Sequence, residues 1–217
     1  VTSVLPALYY SLDKENFVKA IDNIIDCHKK GNFPNFLGFY MEGPYLNPGF
    51  GCDQSKNSWR FGIERKDYID LIEHSKDYTK VWCIAPEREG IENFVQDVKK
   101  AIPNCIFSVA HSAATPEQVE RFIPYGLKIA THHTNATGTI EHYSECRGVC
   151  VDEAVNYNKE IYAELICDRI GAHVVPYMQR LVRKIKGDDR LILISDQFIA
   201  DGPVPEGFED ATDINFD

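Results

Sequence analysis

The stretch Val81–Glu120, VWCIAPEREGIENFVQDVKKAIPNCIFSVAHSAATPEQVE, predicts the fold class of this chain. It opens on a short apolar run, which indicates a strand, and then carries apolar residues at helical spacing over Ile91–Ile102. A second apolar run, Cys105–Ala110, indicates another strand. Thr115 then stands as a helix N-cap before a proline, and Gln118 is placed to close a capping box. The stretch therefore predicts strand, helix, strand and helix in succession.

The same alternation extends outward over most of the chain. Strands are predicted at Thr2–Leu5, Phe36–Met41, Val81–Ala85, Cys105–Ala110, Leu127–Thr131, Ile161–Cys167 and Leu191–Ser195. Helices are predicted at Ser11–Lys30, Glu64–Tyr78, Ile91–Ile102, from Thr115 onward, Asp152–Tyr157 and around Val174–Ile185. The tail Gly202–Asp217 is rich in proline, glycine and acidic residues and is expected to be loop.

Regular β/α alternation with nearly continuous apolar strands is typical of a parallel sheet that is covered on both faces. It leaves two fold classes, a doubly wound sheet or a (β/α)8 barrel. Nucleotide-binding folds are disfavoured because neither Gly-x-Gly-x-x-Gly nor a Walker loop follows any strand. No linker or repeat interrupts the sequence, so residues 1–217 are expected to form a single domain.

The composition is that of an ordinary globular protein, with 44% hydrophobic and 26% charged residues among 217. No apolar run reaches the roughly 18 residues of a membrane-spanning helix. The net charge of -10 comes without a basic patch, so neither nucleic acid nor a membrane is expected as a partner. The seven cysteines contain no Cys-x-x-Cys pair, which favours a reduced, cytoplasmic protein, and Cys83, Cys105 and Cys167 are expected in the core.

Polar residues follow the predicted strands at their carboxyl ends. They are Glu42, Glu87, His111, His132 with His133, Asp168 shortly before His173, and Asp196. In a β/α barrel these ends meet on one face, where active sites are built, so a shared site is expected. Two imidazoles and a carboxylate are a standard ligand set for a catalytic divalent metal with one position left for water.

The same residue types indicate hydrolysis. A catalytic metal lowers the pKa of water toward neutrality, and a further carboxylate such as Asp196 can act as general base and then as general acid. No Gly-x-Ser-x-Gly elbow is present, and no cysteine has an activating context. Covalent hydrolysis is therefore not predicted.

Six motifs, taken in order, resemble those of N-acetylglucosamine-6-phosphate deacetylases of the amidohydrolase superfamily. They are Glu42–Asn47 (EGPYLN), Ala85–Glu87, Ala110–Thr115 (AHSAAT), Ala130–His132 with Asn135 and Ala136, Ala163–Ile166 with Asp168 and His173, and Ser195–Asp196. Each motif is weak alone, but six in order at strand ends are strong, and the resemblance as a whole runs from Thr2 to about Gly202. The resemblance implies an α/β fold, a (β/α)8 TIM-type barrel of the metal-dependent amidohydrolase type.

The resemblance also implies a metal and a catalytic base. The family's metal ligands match Glu42, His111 and His132, and its catalytic aspartate matches Asp196. His133 competes with His132, and the two are not equivalent because adjacent strand residues point to opposite faces; the alignment favours His132. One divalent ion per subunit is expected, with zinc first and iron, manganese or cobalt as alternatives.

Substrate contacts are implied in the same way. Asn135 and Ala136 match a pair that lines the sugar-phosphate site, and His173 matches a histidine that contacts the substrate. Arg147 loosely matches an arginine that reaches the phosphate site of the neighbouring subunit, and a solvated loop cation is its alternative. A homodimer is therefore expected for the full-length protein.

Three departures from the family mark a divergent branch. The family often has Gly-Ala-His where Gly51–Gln54 (GCDQ) stands, two extra residues lie within Asp168–His173, and the last motif is Ser195–Gln197 (SDQ). These positions concern substrate contacts more than metal ligands, so the exact sugar stays open. Glu87 has a structural alternative as a hydrogen-bonded strand-end carboxylate, and Asp168 has the alternative role of bracing the loop that carries His173.

The family chain is also longer, with a small β-sandwich segment and a first barrel strand before the matched part. This sequence resembles barrel strands two to eight, so the native protein is expected to be longer and the barrel here incomplete. An open sheet would leave two strand edges unpaired. Whether a second metal site exists depends on the first strand.

Three functions remain open. The first is deacetylation of N-acetylglucosamine 6-phosphate to glucosamine 6-phosphate and acetate, which the Glu-Gly-Pro run and Asn135–Ala136 favour. The second is another amidohydrolase reaction, such as hydrolysis of a cyclic amide or deamination. The third is a non-catalytic barrel that binds sugar phosphates, since a fold does not fix a function.

Overall fold

The computed structural model describes residues 2–138, 140–168 and 171–196. Within these ranges, the strands are β1 (Ala7–Tyr9), β2 (Phe39–Glu42), β3 (Thr79–Ile84), β4 (Ile106–Val109), β5 (Leu127–Ala130), β6 (Tyr162–Ile166) and β7 (Leu191–Ile194). The helices are α1 (Lys14–Lys29), α2 (Arg65–Ser75), α3 (Ile91–Ala101), α4 (Pro116–Glu120), α5 (Val151–Tyr157) and α6 (Pro176–Lys186). Short 3-10 helices precede β5 and β7.

The strands form one parallel sheet whose spatial order, β1 to β7, is also their order in the chain. Leu8 lies opposite Met41 at one end of this order, and Leu165 lies opposite Leu193 at the other. Because β-helix-β connections are right-handed, an order that never reverses places the helices on one face. A doubly wound sheet requires a reversal. The curled seven-stranded sheet is thus an incomplete α/β barrel, which confirms the expected fold class.

The first strand is the clearest error of the sequence prediction. It was expected at Thr2–Leu5, whereas β1 is Ala7–Tyr9 and Val4 makes only an isolated bridge to Phe36. The carbonyl of Pro6 accepts from the Tyr40 amide, and the ladder with β2 begins after it. The pairing partner therefore sets the start of this strand. The predicted loop Gly202–Asp217 lies outside the described residues.

Local sequence signals explain several helix starts. The Asp13 side chain accepts from the Asn16 amide at 2.8 Å and caps α1. The expected capping box of α4 is present, with Thr115 and Gln118 each bonded to the other's backbone amide. These bonds satisfy amides that a helix start leaves without intrahelical partners.

The two faces of the sheet differ in chemistry. On the helix side, Met41, Trp82, Phe107 and Leu165 pack with the apolar faces of the helices in one large buried cluster. On the other face, side chains from alternate positions meet near the barrel axis, and several of them are polar. The Tyr40 hydroxyl, for example, lies 3.1 Å from Glu164 Oε2. The polar side chains of the inner face therefore lie on the same side of the sheet as the polar residues at the strand ends.

The cysteines follow expectation with one exception. All seven thiols are free, and Cys83 and Cys105 are buried as expected. Cys167 is exposed instead, because β6 ends at Ile166 and the cysteine belongs to the following loop. In the described ranges, no helix has the length and apolarity needed to cross a membrane.

Candidate metal centre

Glu42, His111 and His132 converge at the carboxyl ends of three strands. Glu42 ends β2, and the two histidines follow β4 and β5. Glu42 Oε1 lies 3.1 Å from His111 Nε2 and 3.2 Å from His132 Nε2, and the two Nε2 atoms are 3.1 Å apart. All three residues are buried. Their ligand atoms all lie within 4.8 Å of one another, which is close enough to hold one metal ion.

The outer ring nitrogens determine what the histidines present to this centre. His111 Nδ1 lies 2.8 Å from the Phe50 carbonyl, and His132 Nδ1 lies 3.2 Å from the Asn135 carbonyl. A carbonyl only accepts, so each Nδ1 carries a proton and each Nε2 presents a lone pair. Two lone pairs beside a carboxylate oxygen attract a cation, either a proton or a metal ion. A histidine oriented by a carbonyl in this way is typical of a metal ligand, so the donor set fits a divalent ion.

The electrostatics of the cluster favour positive charge at its centre. Burial alone would raise the pKa of Glu42, but the contacts with His111 and His132 outweigh it and lower this pKa to about 2. Burial would lower the pKa of His132, yet the Glu42 carboxylate raises it. The carboxylate is therefore ionised and attracts a cation.

The residues at the strand ends have left-handed backbones. His111 has φ 41°, His132 has φ 33° and Asp196 has φ 53°. For residues other than glycine, this conformation costs about 1–3 kcal/mol each and is concentrated at functional sites. Each of these three residues expected at the site therefore lies in a strained turn of its own, directly after a strand.

Comparisons with known proteins point to one group of enzymes, although no family model matches the chain. An N-acetylgalactosamine-6-phosphate deacetylase of Escherichia coli O157:H7 is 29% identical over 181 residues, which are 83% of this chain and 45% of the relative. The structure of an N-acetylglucosamine-6-phosphate deacetylase from Thermotoga maritima is 26% identical with a TM-score of 0.76, and the match covers 94% of this chain and 52% of that one.

This chain is a divergent relative of the amino-sugar-phosphate deacetylases. The resemblance seen in the six motifs is thereby confirmed. A further structure, the Mycobacterium smegmatis enzyme in complex with N-acetyl-D-glucosamine-6-phosphate, shares the fold with a TM-score of 0.74 at 22% identity. It covers 89% of this chain and 47% of its own. The chain spans about half the length of the relatives that it matches.

Asp196, the expected catalytic residue of this deacetylase relative, stands two residues after β7. Burial, reinforced by the charge of Glu42, raises the pKa of Asp196, whereas His132 and His173 lower it. The charges of the metal cluster and of His173 thus act on the Asp196 carboxyl group. The residue that follows it, Gln197, lies outside the described residues.

The loop that carries His173 is held by Asp168. The Asp168 carboxylate accepts from the amides of Ala172 at 2.8 Å and His173 at 3.1 Å, and it lies 3.1 Å from His173 Nδ1. These hydrogen bonds, led by the one from the His173 amide, hold the pKa of Asp168 well below its usual range. Asp168 therefore braces this loop, as its structural alternative proposed. The extra residues Arg169 and Ile170 lie outside the described residues.

Asn135 and Ala136 lie beside the cluster, and Asn135 connects it to the His173 loop. The Asn135 carbonyl accepts from His132, and its side-chain amide lies 3.4 Å from the His173 carbonyl. A Cβ built on Gly51 would lie 2.6 Å from Ala136 Cβ, so the divergent Gly51–Gln54 run begins next to Ala136.

The described contacts of Arg147 are with residues outside the metal cluster. It belongs to an exposed hairpin, in which His142 bridges Arg147, and its guanidinium pairs with Glu153 Oε1 at 2.8 Å. Its described contacts do not include the cluster. The structure thus brings Glu42, His111 and His132 together and links them to the His173 loop through Asn135, whereas the described contacts of Arg147 lie outside this group.

The hydrogen bonds of His133 and Glu87 hold parts of the fold together. His133 points toward α5, with Nε2 3.1 Å from Asn156 Oδ1, and burial lowers the pKa of His133 to about 4. Glu87 accepts from Asn47 Nδ2, Ser112 Oγ and the Ala113 amide at 2.6–2.8 Å, which ties the loops after β2 and β4 together. The structure therefore places His132, and not His133, in the cluster.

Sequence reasoning missed a group of side chains on the inner face of the sheet, beneath the metal ligands. We call it the interior polar cluster: Tyr40, Cys83, Ser108, Thr131 and Glu164. The available signal was the presence of polar residues inside apolar strand sequences, most clearly Glu164 in AELIC. A carboxylate is almost never buried without a partner, so this position called for one.

Proposed function

We propose that this chain forms the metal-binding part of a hydrolase that removes the acetyl group from N-acetylglucosamine 6-phosphate and yields glucosamine 6-phosphate and acetate. The observation that carries the proposal is the convergence of Glu42 Oε1 with the Nε2 lone pairs of His111 and His132 at the carboxyl ends of the strands. The names of the relatives support this substrate class. Because the chain spans about half of their length, the proposal concerns the activity of the whole protein.

The chain's own residues would divide the work as follows. Glu42, His111 and His132 hold the ion, which when bound supplies Lewis-acid chemistry and makes water easier to deprotonate. Asp196 accepts the proton of the attacking water and later donates it to the nitrogen of the leaving amine. His173, whose Nδ1 is held by the Asp168 carboxylate, presents its Nε2 to the substrate.

The identity of the ion, the cellular setting and the oligomeric state are further parts of the proposal. We propose zinc as the ion, because two histidines and a glutamate form a common catalytic zinc set. We propose a reduced, cytoplasmic setting from seven free thiols and a homodimer in which Arg147 reaches the partner's phosphate site. Residues 1–217 are proposed to belong to a single barrel domain.

The test measures metal content and acetate release on the same samples of the full-length protein. With N-acetylglucosamine 6-phosphate as substrate and N-acetylgalactosamine 6-phosphate as the comparison, we expect stoichiometric divalent metal and faster release from the first. His111→Asn should lose metal and activity together. Acetate release that is unaffected by metal removal would contradict the proposal, and metal binding without acetate release would leave another amidohydrolase reaction or a binding function.

Asp196→Asn separates the proton-transfer role from metal binding. We expect this variant to keep its metal and to lose about 10²–10⁴-fold in turnover, because one carboxylate serves both proton transfers. Wild-type turnover should fall at acid pH, since protonated Asp196 cannot accept a proton. A metal-replete Asn variant with near wild-type turnover would exclude Asp196 as the base, and loss of metal would make it a ligand.

A further inference from the structure

The interior polar cluster connects side chains of β2, β3, β4 and β6 with that of Thr131, which directly follows β5. The Tyr40 hydroxyl on β2 lies 2.6 Å from Thr131 Oγ1, just after β5, and 3.1 Å from Glu164 Oε2 on β6. Ser108 Oγ on β4 lies 2.6 Å from the same Thr131 oxygen. One assignment uses each hydroxyl proton once: Ser108 donates to Thr131, Thr131 to Tyr40, and Tyr40 to the Glu164 carboxylate. Glu164 is therefore the acceptor at the end of the chain.

This cluster lies directly beneath the proposed metal ligands. Tyr40 is two residues before Glu42 on β2, and side chains two apart on a strand point to the same face. Thr131 immediately precedes His132 in the sequence. The strands that carry the three ligands are thus joined, one layer below the ligands, by hydrogen bonds that are independent of the metal.

Glu164 is linked to the residues on both sides of the ligand His132. Its side chain reaches Thr131 through the Tyr40 hydroxyl, and its own carbonyl accepts from the His133 amide at 2.7 Å. His132 has a left-handed backbone with φ 33°. This strained residue is therefore held through both of its neighbours, by a residue whose side chain is only 5% exposed.

We propose that Glu164, held by Tyr40, is a positioning residue that fixes the strained backbone of His132 and thereby the direction of its Nε2 lone pair toward His111 and Glu42. The inference rests on the metal site of the proposed function but not on the deacetylase reaction. Groups that orient metal ligands typically change metal affinity by 10–100-fold when they are lost.

The matched variants differ in which hydrogen bonds they remove. Glu164→Leu removes the acceptor for the Tyr40 hydroxyl, Glu164→Gln keeps one oxygen that can accept from this hydroxyl, and Tyr40→Phe removes only the hydroxyl. Leu165→Ala is the control, because Leu165 is the next residue on β6, is 2% exposed and faces the helices. It should lower stability without touching the ligands.

The experiment is titration of the metal-free full-length protein with Co²⁺, read by its visible absorption spectrum, together with urea unfolding and acetate release. We expect Glu164→Leu to weaken Co²⁺ binding 10–100-fold and to alter the spectrum, Glu164→Gln to recover most of the affinity, and Tyr40→Phe to give a smaller loss. Leu165→Ala should unfold at lower urea and bind Co²⁺ as the wild type does.

Two results would overturn the inference: wild-type Co²⁺ affinity and spectrum in Glu164→Leu and Tyr40→Phe, or an equal loss of affinity in Leu165→Ala. If Glu164→Leu does not fold, the Gln and Phe variants decide. A wild-type protein that binds Co²⁺ but releases no acetate refutes the proposed deacetylation and leaves this inference standing. A wild-type protein that binds no Co²⁺ refutes both.

Discussion

Replacing Gly51 with alanine should disturb the metal centre through a single methyl group. Gly51 has φ +64°, and a Cβ there would lie 2.8 Å from His111 Nδ1 and 2.6 Å from Ala136 Cβ. The methyl group would push the His111 ring away from the Phe50 carbonyl, which lies 2.8 Å from Nδ1 and fixes the tautomer. The left-handed backbone costs about 1–2 kcal/mol for alanine, and overpacking adds about 1–3 kcal/mol. The free energy of unfolding should therefore fall by about 2–5 kcal/mol.

Gly31→Ala isolates the backbone contribution to this loss. Gly31 has φ +79°, close to that of Gly51, but a Cβ there would meet nothing within 4 Å. We expect Gly31→Ala to lose only about 1–2 kcal/mol and to keep its metal affinity. Gly51→Ala should in addition bind a divalent metal about 10–100-fold more weakly, because an orienting contact of His111 is lost.

The assay is urea unfolding of the metal-free protein and a metal titration of the same samples. Metal binding adds stability in proportion to the logarithm of ligand concentration over Kd, so the two measurements check each other. If Gly51→Ala loses no more stability than Gly31→Ala and binds metal as the wild type does, the contact between Gly51 and His111 has no influence on the site and the reasoning is refuted.

Three other perturbations test residues near the site. His133→Gln should keep metal affinity and lose about 1–3 kcal/mol, since His133 Nε2 bonds Asn156 and not the cluster; metal loss in a titration would reverse the choice of His132. Burial raises the pKa of Asp152 to about 6, so the unfolded chain ionises first and wild-type stability should fall as pH rises from about 4 to 6. Asp152→Asn should thus gain up to about 3 kcal/mol relative to the wild type between pH 4 and 7, and a pH-independent difference in urea unfolding would contradict this. Thr115→Ala should cost about 1 kcal/mol in the same assay and leave metal binding unchanged, because it removes only the cap of α4.

The inner face of the sheet shows why function and stability are hard to separate in this chain. Glu164 is buried, and burial raises the pKa of its carboxyl group to about 7 despite the hydrogen bond from Tyr40. A buried carboxylate is costly without partners. Its retention beneath the metal ligands is consistent with a role in holding His132 through Tyr40 and Thr131, because an apolar side chain would fill the same space but leave the Tyr40 hydroxyl without this acceptor.

The sequence by itself determined the features that depend on neighbouring residues. Hydrophobic periodicity predicted the strands from β2 onward and the helices to within a few residues, and the Thr115 capping box was readable because both partners lie within one helical turn. The strand-end positions of Glu42, His111 and His132 followed from the same periodicity.

Only the tertiary structure decided the features that depend on contacts between distant residues. Glu42 and His132 are 90 positions apart in sequence, and sheet register brings their atoms to 3.2 Å. The first strand lies at Ala7–Tyr9 because this segment pairs with β2. In the folded chain, Arg147 forms an ion pair with Glu153. The lone pairs of the histidines face one point because two loop carbonyls hold their Nδ1 protons. Residue type limits which ligands are possible, whereas register and backbone conformation, set by long-range packing, decide which of them meet.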